Sequence, residues 1–236
     1  MPQDRVTRRP ERREYRGGRC LVPEIGHLGW TRITRADRRL TAHIHVNAYE
    51  LCYIVKGSVE WWAGQSIHEV RGGQIYLTRP GEPHGAVDAL MHPSELYWVQ
   101  IRPAAGARVG RLLRGCQQWR AFDAGRRVPE IFEQMLREHA ERRPGGRAMV
   151  RGLLAELLVL TVRAHQEQSA RAASNGGGPQ QRAASAPVRA ALDWMDAHWR
   201  EDYRISDLAR RVELSPSQFH ALFLRQTGFS PAELRL

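Results

Sequence analysis

The chain contains little of what marks a secreted or membrane protein. Its 236 residues include three cysteines, Cys20, Cys52 and Cys116, whose odd number and wide spacing argue against a disulfide framework and against C-x-x-C metal sites. Free thiols are typical of a reducing cytoplasm. The longest apolar run, at 153–160, is too short to cross a bilayer and is interrupted by Glu156. No signal peptide is recognised, so the sequence predicts a cytoplasmic protein with no membrane partner.

Lysine is almost absent, since Lys56 is the only lysine among 36 basic residues, and arginine therefore carries the formal net charge of +11. The charge is unevenly distributed. Residues 188–236 hold seven arginines and seven acidic residues, whereas residues 1–19 hold seven arginines against three acidic residues. A segment so charged has too little apolar surface to fold alone, and we expect residues 1–19 to form a basic flexible arm.

Bulky apolar residues are missing from residues 169–187, SARAASNGGGPQQRAASAP. Such a segment cannot offset the entropy lost on ordering, and it predicts a flexible linker. The linker divides the chain into an amino-terminal part, residues 20–168, and a carboxy-terminal part, residues 188–236.

The carboxy-terminal part has the start, turn and stop signals of two consecutive short helices. Ser206 can cap the first helix, and Ser215–Gln218 is a capping box with proline at the first position of the second helix. Gly228 is suited to end that helix, and residues 230–233 form a further capping box. The residues that share one face are Leu208, Ala209 and Val212 in the first helix and Phe219, Leu222 and Phe223 in the second. This pattern predicts a helix-turn-helix, and a helical bundle that touches no DNA is the alternative.

These residues resemble the first helix-turn-helix of the AraC family of bacterial transcription regulators, through the runs S-D-L-A, L-S-P-S-x-F-x-x-x-F and G-F-S-P. The resemblance implies DNA as a partner, with side chains of the second helix in contact with bases or phosphates. Those side chains are Ser215, Ser217, Gln218, His220, Ala221 and Arg225. The family's DNA-binding domain has two helix-turn-helix halves joined by a long helix. Because the sequence ends at the start of that joining helix, we expect the second half to be absent.

Short apolar runs separated by glycine and proline turns fill residues 20–103. This pattern is typical of an antiparallel β-barrel. The predicted strands are Leu40–His45, Glu50–Val55, Val59–Trp62, Ile67–Val70, Ile75–Thr78 and Leu96–Ile101. Together with the helices that follow, they predict the α+β class.

Histidine and glutamate recur in this region in the pattern H-x-H, then E after four residues, and later P-G-E-P-H. The spacing resembles the two signature motifs of the cupins, which are small jelly-roll barrels, and residues 95–103 resemble the last strand of the sensing barrel of AraC-type regulators. In metal-binding cupins these positions hold a divalent metal, so the resemblance implies that Zn²⁺, Fe²⁺ or Mn²⁺ could be ligated by His43, His45, Glu50 and His84. AraC-type barrels commonly work without metal, and the same histidines could instead contact a sugar or acid effector.

Aromatic side chains are concentrated in the same region, where inward-facing rings would stack on a planar or sugar ligand. We assign most of them to the core. The residues predicted to line an effector pocket are Trp30, His43, His45, Tyr53 and His84.

Two amphipathic patterns, at 129–143 and 147–166, are separated by the breaker Pro144–Gly146 and predict a helical hairpin within residues 104–168. In the AraC family an equivalent pair of helices mediates dimerisation, and the resemblance therefore implies a homodimer. The apolar stripes could also cover the barrel, and the two roles are compatible.

The sequence thus predicts a ligand-responsive transcription regulator and not an enzyme. A small-molecule effector would bind in the barrel at 20–103, and the helix-turn-helix at 188–236 would read the operator. The alternative from another class is a metal-dependent cupin enzyme, such as a dioxygenase or isomerase. A third reading is a truncated regulator that no longer binds DNA. The one cofactor implied is the divalent metal of the barrel.

Overall fold

The computed structural model describes residues 11–36, 38–64, 66–102, 112–113, 116, 120–175, 182–183, 185–197, 203–227 and 230–232. Within these ranges the chain forms an antiparallel sheet-rich domain, two long helices packed on that domain, and a cluster of short helices with its own core. None of the described helices is long and apolar enough to span a membrane.

The strands of the domain are β1 Glu11–Arg16, β2 Ile25–Ile33, β3 Arg38–Arg39, β4 Tyr49–Ala63, β5 Ser66–Arg71, β6 Gln74–Thr78, β7 His84–Ala86, β8 Leu90–Met91, β9 Ser94–Ile101, β10 Ala121–Asp123 and β11 Arg182–Ala183. The helices are α1 Arg127–Glu141, α2 Gly146–Asn175, α3 Ala186–Ala197, α4 Ile205–Arg211 and α5 Pro216–Thr227.

The 15-residue strand β4 belongs to both halves of the sheet. Its first part pairs with β9 on one side, followed outward by β2 and β1, and with β6 on the other side, followed by β10. Its last part, from Ser58 to Ala63, pairs with β5 and β7, and β11 adds to β5. The register against β9 shifts between Ile54 and Lys56, close to where β4 changes partners, and such bulges commonly bend a strand.

Side-chain alternation gives the first half of the sheet two faces, because successive residues of a strand point to opposite sides. On one face, Tyr53 of β4 and Tyr97 of β9 are paired and join the core beneath the long helices. On the other face, Cys52 and Trp98 are paired and join a second core that lies between the two halves of the sheet.

Helices α1 and α2 cover the first of these faces. Apolar residues recur on α1 at the spacing of one helix face, and the Phe132 ring stacks on Tyr97 with 5.3 Å between ring centroids. The buried residues of α2 that join the same core are Val150, Leu153, Leu154, Leu157 and Leu158. Burial of each such side chain contributes on the order of 1.5–3 kcal/mol. The predicted helical hairpin is present, and its apolar stripes cover the sheet.

The short helices α3, α4 and α5 pack around a third core, whose buried members are Val188, Ala191, Met195, Leu208, Ala209, Val212, Phe219 and Phe223. The predicted capping box opens α5. The Gln218 backbone N–H donates to Ser215 Oγ at 3.3 Å, and the Ser215 N–H donates to Gln218 Oε1 at 3.2 Å. Ser206 lies inside α4, whose N-cap is Arg204, so its predicted capping role is wrong. Gly228 and Glu233 lie outside the described residues.

Three further expectations differ from the structure. Part of the predicted flexible arm at 1–19 is a strand, because residues 11–16 form β1 along the edge of β2. Part of the predicted flexible linker at 169–187 is also regular, because α2 continues to Asn175, residues 182–183 form β11, and α3 begins at Ala186. The predicted strand Leu40–His45 is reduced to a single bridge, between His43 and His84.

Candidate functional site

A cavity of about 500 Å³ opens between the two halves of the sheet. Its walls include the second face of the first half-sheet, the start of β7 and the segment 40–45. All four predicted metal ligands line it, whereas two predicted pocket residues do not: Trp30 and Tyr53 lie on the opposite face, in the core beneath the helices. Their prediction as pocket residues is wrong, because the strand period of two turns them toward α1.

The four candidate ligands come together from three places in the chain. His43 and His84 sit side by side because their backbones exchange hydrogen bonds of 3.0 and 3.1 Å. Glu50 lies at the start of β4 and faces the same space, and His45 Nε2 lies 3.3 Å from its Oε1. One donor atom from each of these four residues lies within 4.8 Å of the others. Donors bonded at about 2.0–2.3 Å to one central ion would have separations of this order.

Hydrogen bonds around the quartet orient its rings. His43 Nδ1 lies 2.9 Å from the Thr41 carbonyl and His84 Nδ1 lies 2.8 Å from the Glu82 carbonyl, so each ring donates from Nδ1 and presents the Nε2 lone pair. His84 Nε2 is buried, lies 3.5 Å from Glu50 Oε2, and has no hydrogen-bond partner among the residues that the structure describes. A buried nitrogen lone pair that points at the potential ligand atoms of three other residues has the chemistry of a metal ligand. The quartet therefore fits a divalent ion.

Gln100 of β9 supports the quartet from the opposite strand. Its side-chain amide donates to Glu50 Oε1 at 3.0 Å and lies 3.1 Å from His45 Nε2. Burial would raise the pKa of the Glu50 carboxyl, but the neighbouring side chains of His45 and His84 hold that pKa well below its usual range. Burial lowers the pKa of His43, and the neighbouring His84 lowers it further. An ionised carboxylate beside a neutral imidazole is the protonation state that binds a metal.

A second group of polar residues lines the cavity nearer to β1, and sequence reasoning missed it. The Trp98 indole lies 5.2 Å from the guanidinium carbon of Arg12, and its Nε1 donates to the His27 ring at 3.1 Å. Arg16 Nε lies 3.0 Å from His27 Nε2. Burial holds the pKa of His27 at about 4. If residues 11–16 had been read as a strand, its alternation would have placed Arg12 and Arg16 on one face. The high charge of residues 1–19 predicted a disordered arm instead.

The predicted DNA-contacting residues lie apart from the cavity, on the short helices. The five exposed side chains among them are Ser215, Ser217, Gln218, His220 and Ala221. Ser215 and Gln218 are also engaged in the capping box. The side chain of Arg225 lies outside the described residues.

Comparison with known proteins places the sheet-rich domain in a family. A family model described as the AraC-like ligand binding domain matches residues 31–158, which is more than half of the chain. A search of curated proteins finds no match.

Solved structures were compared as well. The AraC-like transcriptional activator CuxR is 10% identical with a TM-score of 0.43, over 85% of this chain and 70% of that one. ToxT from Vibrio cholerae O395, bound to (E)-4-(8-methylnaphthalen-1-yl)but-3-enoic acid, is 9% identical with a TM-score of 0.38, over 86% and 96%. A predicted oxalate decarboxylase from Thermotoga maritima is 18% identical with a TM-score of 0.30, over 34% and 68%. The assignment rests on the family model, and by that match the chain belongs to the AraC-like ligand-binding domain family.

Proposed function

We propose that this chain is a transcription regulator whose affinity for DNA depends on a small molecule bound in the cavity of the sheet domain. The observation that carries the proposal is the roughly 500 Å³ cavity, lined by buried polar groups, within a domain of the AraC-like ligand-binding family. Residues 20–168 would bind the effector in a cupin-like barrel, residues 188–236 would read DNA as a helix-turn-helix, and residues 169–187 would connect the two.

The DNA-reading part of the proposal rests on the short helices. Their buried core leaves His220 and Ala221 of α5 exposed on the outer side, as a helix that enters the major groove requires. The test is selection of duplexes from a random pool by the full chain, followed by titration of the enriched sequence at two salt concentrations. His220→Ala should weaken binding to that sequence, whereas His92→Ala, which removes an exposed histidine of the sheet domain, should not. Failure to enrich any sequence would reject the proposed reading head.

A divalent metal would add to this function a fixed, positively charged point inside the cavity. Nε2 of His43, His45 and His84 and the carboxylate of Glu50 would hold it, and Gln100 would orient two of these ligands. When bound, such a metal can ligate an oxygen of an effector. Protein purified without chelator should then carry close to one divalent ion per chain. His84→Ala should lose that ion, whereas the matched control His92→Ala should keep it.

Self-association is part of the proposal, with α2 as the contact. Met149 and Val159 are exposed on this helix, while its other large apolar side chains cover the sheet. Sedimentation of the full chain should show a dimer, and Val159→Asp should shift it toward the monomer. A monomer at micromolar concentration would reject this part alone.

The quartet beside an open cavity also favours a second candidate, a metal-dependent cupin enzyme such as a dioxygenase or isomerase. A cavity that admits a ligand next to a metal would also admit a substrate. Oxygen uptake or isomerisation by the metal-loaded chain that is lost in Glu50→Gln would support the enzyme. Enrichment of DNA without turnover would support the regulator.

A further inference from the structure

The cavity has a basic wall that lies apart from the metal-ligand quartet. The register aligns Arg12 of β1 with Thr31 of β2, and Arg16 with His27, so both arginines extend from the edge strand onto the face that forms the cavity. Glu14 lies between them on the same face of β1. In contrast, Arg13 faces the helices, where its guanidinium forms two hydrogen bonds of 2.9 and 2.8 Å with Glu133 of α1.

The charge of this wall is incompletely balanced. The Glu14 carboxylate forms an ion pair with Arg12 and lies 3.6 Å from Arg16 Nε. The same carboxylate lies 3.0 Å from His27 Nε2. One carboxylate therefore serves two guanidiniums, which leaves one positive charge at this wall, while the carboxylate of Glu50, which also lines the cavity, contacts His45 and Gln100. The structure gives the terminal nitrogens of Arg16 no ion-pair partner among the described residues, and its side chain is 58% exposed. His27 adds no charge near neutral pH, because burial holds its pKa at about 4.

The rest of the cavity surface that faces this wall is largely apolar. The register places Arg16, His27, Gln100 and Glu50 in one row across β1, β2, β9 and β4, so three strand spacings of about 4.8 Å separate Arg16 from Glu50. Trp98 lies in the next row of the same face, paired with Gly29 and Cys52, and its ring reaches Arg12 and His27. The apolar and aromatic side chains that line the space include Ile33, Leu40, Trp61, Met91, Leu96 and Trp98.

We propose that Arg12 and Arg16 form an anion subsite, and that the effector of the proposed regulator is a monocarboxylate with an apolar or aromatic body. The inference rests on the proposed ligand-sensing function and names the class of its ligand. A guanidinium offers a planar fork of donors that matches a carboxylate, and one uncompensated positive charge matches a monoanion better than a phosphate dianion. Trp98 and its apolar neighbours would bury the body of the ligand.

The test compares 3-phenylpropanoate with 3-phenylpropanamide, which has nearly the same shape and no charge. Titration of the full chain is followed by calorimetry and by quenching of tryptophan fluorescence. We expect the acid to bind at least tenfold more tightly than the amide. The paired substitution Arg12→Gln and Arg16→Gln should remove that preference. The control Arg71→Gln removes one arginine charge from an exposed ion pair with Glu69, away from the cavity, and should preserve the preference.

The same titrations are repeated after treatment with chelator, so that a metal in the quartet is separated from the arginines as the source of the preference. A preference for the acid that persists without metal and disappears in the doubly substituted chain supports the subsite. A preference that persists in that variant overturns it, as does equal binding of acid and amide or binding of neither. Circular dichroism of the variant verifies its fold. DNA selection is measured separately, so the absence of a carboxylate preference in the unsubstituted chain, with intact DNA binding, rejects the subsite and not the regulator.

Discussion

Gly29 lies against the Trp98 indole in the wall of the cavity. The two residues are paired across β2 and β9, and a Cβ at position 29 would lie 2.1 Å from the Trp98 ring. The indole therefore occupies the space that a side chain of any other residue would need. This absence of a Cβ allows Trp98 to reach His27 and Arg12.

We predict that Gly29→Ala displaces the Trp98 ring and destabilises the sheet domain by about 1–3 kcal/mol, because an added methyl group overpacks a filled wall. Urea unfolding followed by tryptophan fluorescence measures the change, and the folded-state emission should also shift. Gly152→Ala is the control. A Cβ there meets nothing within 4 Å, so this substitution on α2 should instead stabilise by roughly 0.5–1 kcal/mol. Unchanged emission and stability in Gly29→Ala would contradict the packing of Trp98.

His68 is a buried histidine whose Nε2 has no hydrogen-bond partner within the described part of the chain. Burial lowers its pKa to about 4, and Arg120 contributes to the decrease. The pKa of a histidine in the unfolded chain is near 6.5. Between about pH 6.5 and 4, His68 is therefore protonated in the unfolded chain and neutral in the folded chain. The stability of the sheet domain should therefore be unaffected by His68 above about pH 6.5 and should fall as the pH decreases toward 4.

We predict that replacing His68 by phenylalanine removes this contribution. When the pH is lowered from 7 to 5, the free energy of unfolding should fall by about 2 kcal/mol more in the wild-type chain than in His68→Phe. The largest slope expected from one such histidine is about 1.4 kcal/mol for each pH unit below 6.5. Urea unfolding at the two pH values gives the difference. His27 has a similarly lowered pKa and remains in both chains, so both should still lose stability. Equal losses in both chains would show that His68 does not titrate in this way.

At the scale of elements, α5 depends on two aromatic rings. Phe219 and Phe223 are fully buried one helical turn apart, with 5.2 Å between their ring centroids. The core that they complete has eight buried apolar members among the described residues, so little other burial there can compensate for the loss of one ring.

We predict that Phe223→Ala destabilises the short helices by roughly 3–5 kcal/mol and leaves the sheet domain intact. Hydrogen exchange measured on peptides of the full chain should show faster exchange from 186 to 227 and unchanged exchange in β4 and β9. Leu224→Ala is the matched control, because Leu224 is the next residue of the same helix and is 41% exposed. Similar exchange in the two variants would contradict the assigned core.

Elements with strong local signals were predictable from the sequence. The hairpin of α1 and α2 was predicted from apolar spacing and from the Pro144–Gly146 breaker. The capping box of α5 was predicted from the residue types at 215–218. Strand β1 was not predicted. Its six residues include five charged ones, and it is held by pairing with β2 and by contacts such as Arg13 with Glu133, which are distant in the sequence. Non-local pairing overrides local composition in such an edge strand.

The candidate site was predictable to the extent that it is local. The quartet followed from the spacing of a motif, and the structure brings its donor atoms together. Trp30 and Tyr53 were assigned to the wrong face because the strand containing Trp30 was not foreseen and β4 was divided in two. Gln100 was within a predicted strand, but its contact with Glu50 depends on which strand pairs with which, and one sequence does not fix that pairing.

At the scale of the whole molecule, the cavity and the short helices have separate cores, although α5 also contacts residues Val87–Ala89 of the sheet domain. Loss of either can therefore be measured without loss of the other. We predict that the paired substitution Arg12→Gln and Arg16→Gln retains sequence-selective DNA binding but loses its response to a carboxylate ligand, while Phe223→Ala retains ligand binding and loses DNA binding. Calorimetry and duplex titration on the two variants measure both activities. Joint loss of both activities in either variant would show that the two parts fold as one unit.

Strand β1 connects the cavity to α1, since Arg12 and Arg16 point one way and Arg13 and Tyr15 the other. Its orientation is set by register alone. A slip of one residue against β2 would exchange the two sets of side chains, so the arginines would leave the cavity at the same moment that the contact between Arg13 and Glu133 broke. As long as β1 stays paired with β2, its contacts with the cavity and its contacts with α1 are therefore formed together or lost together.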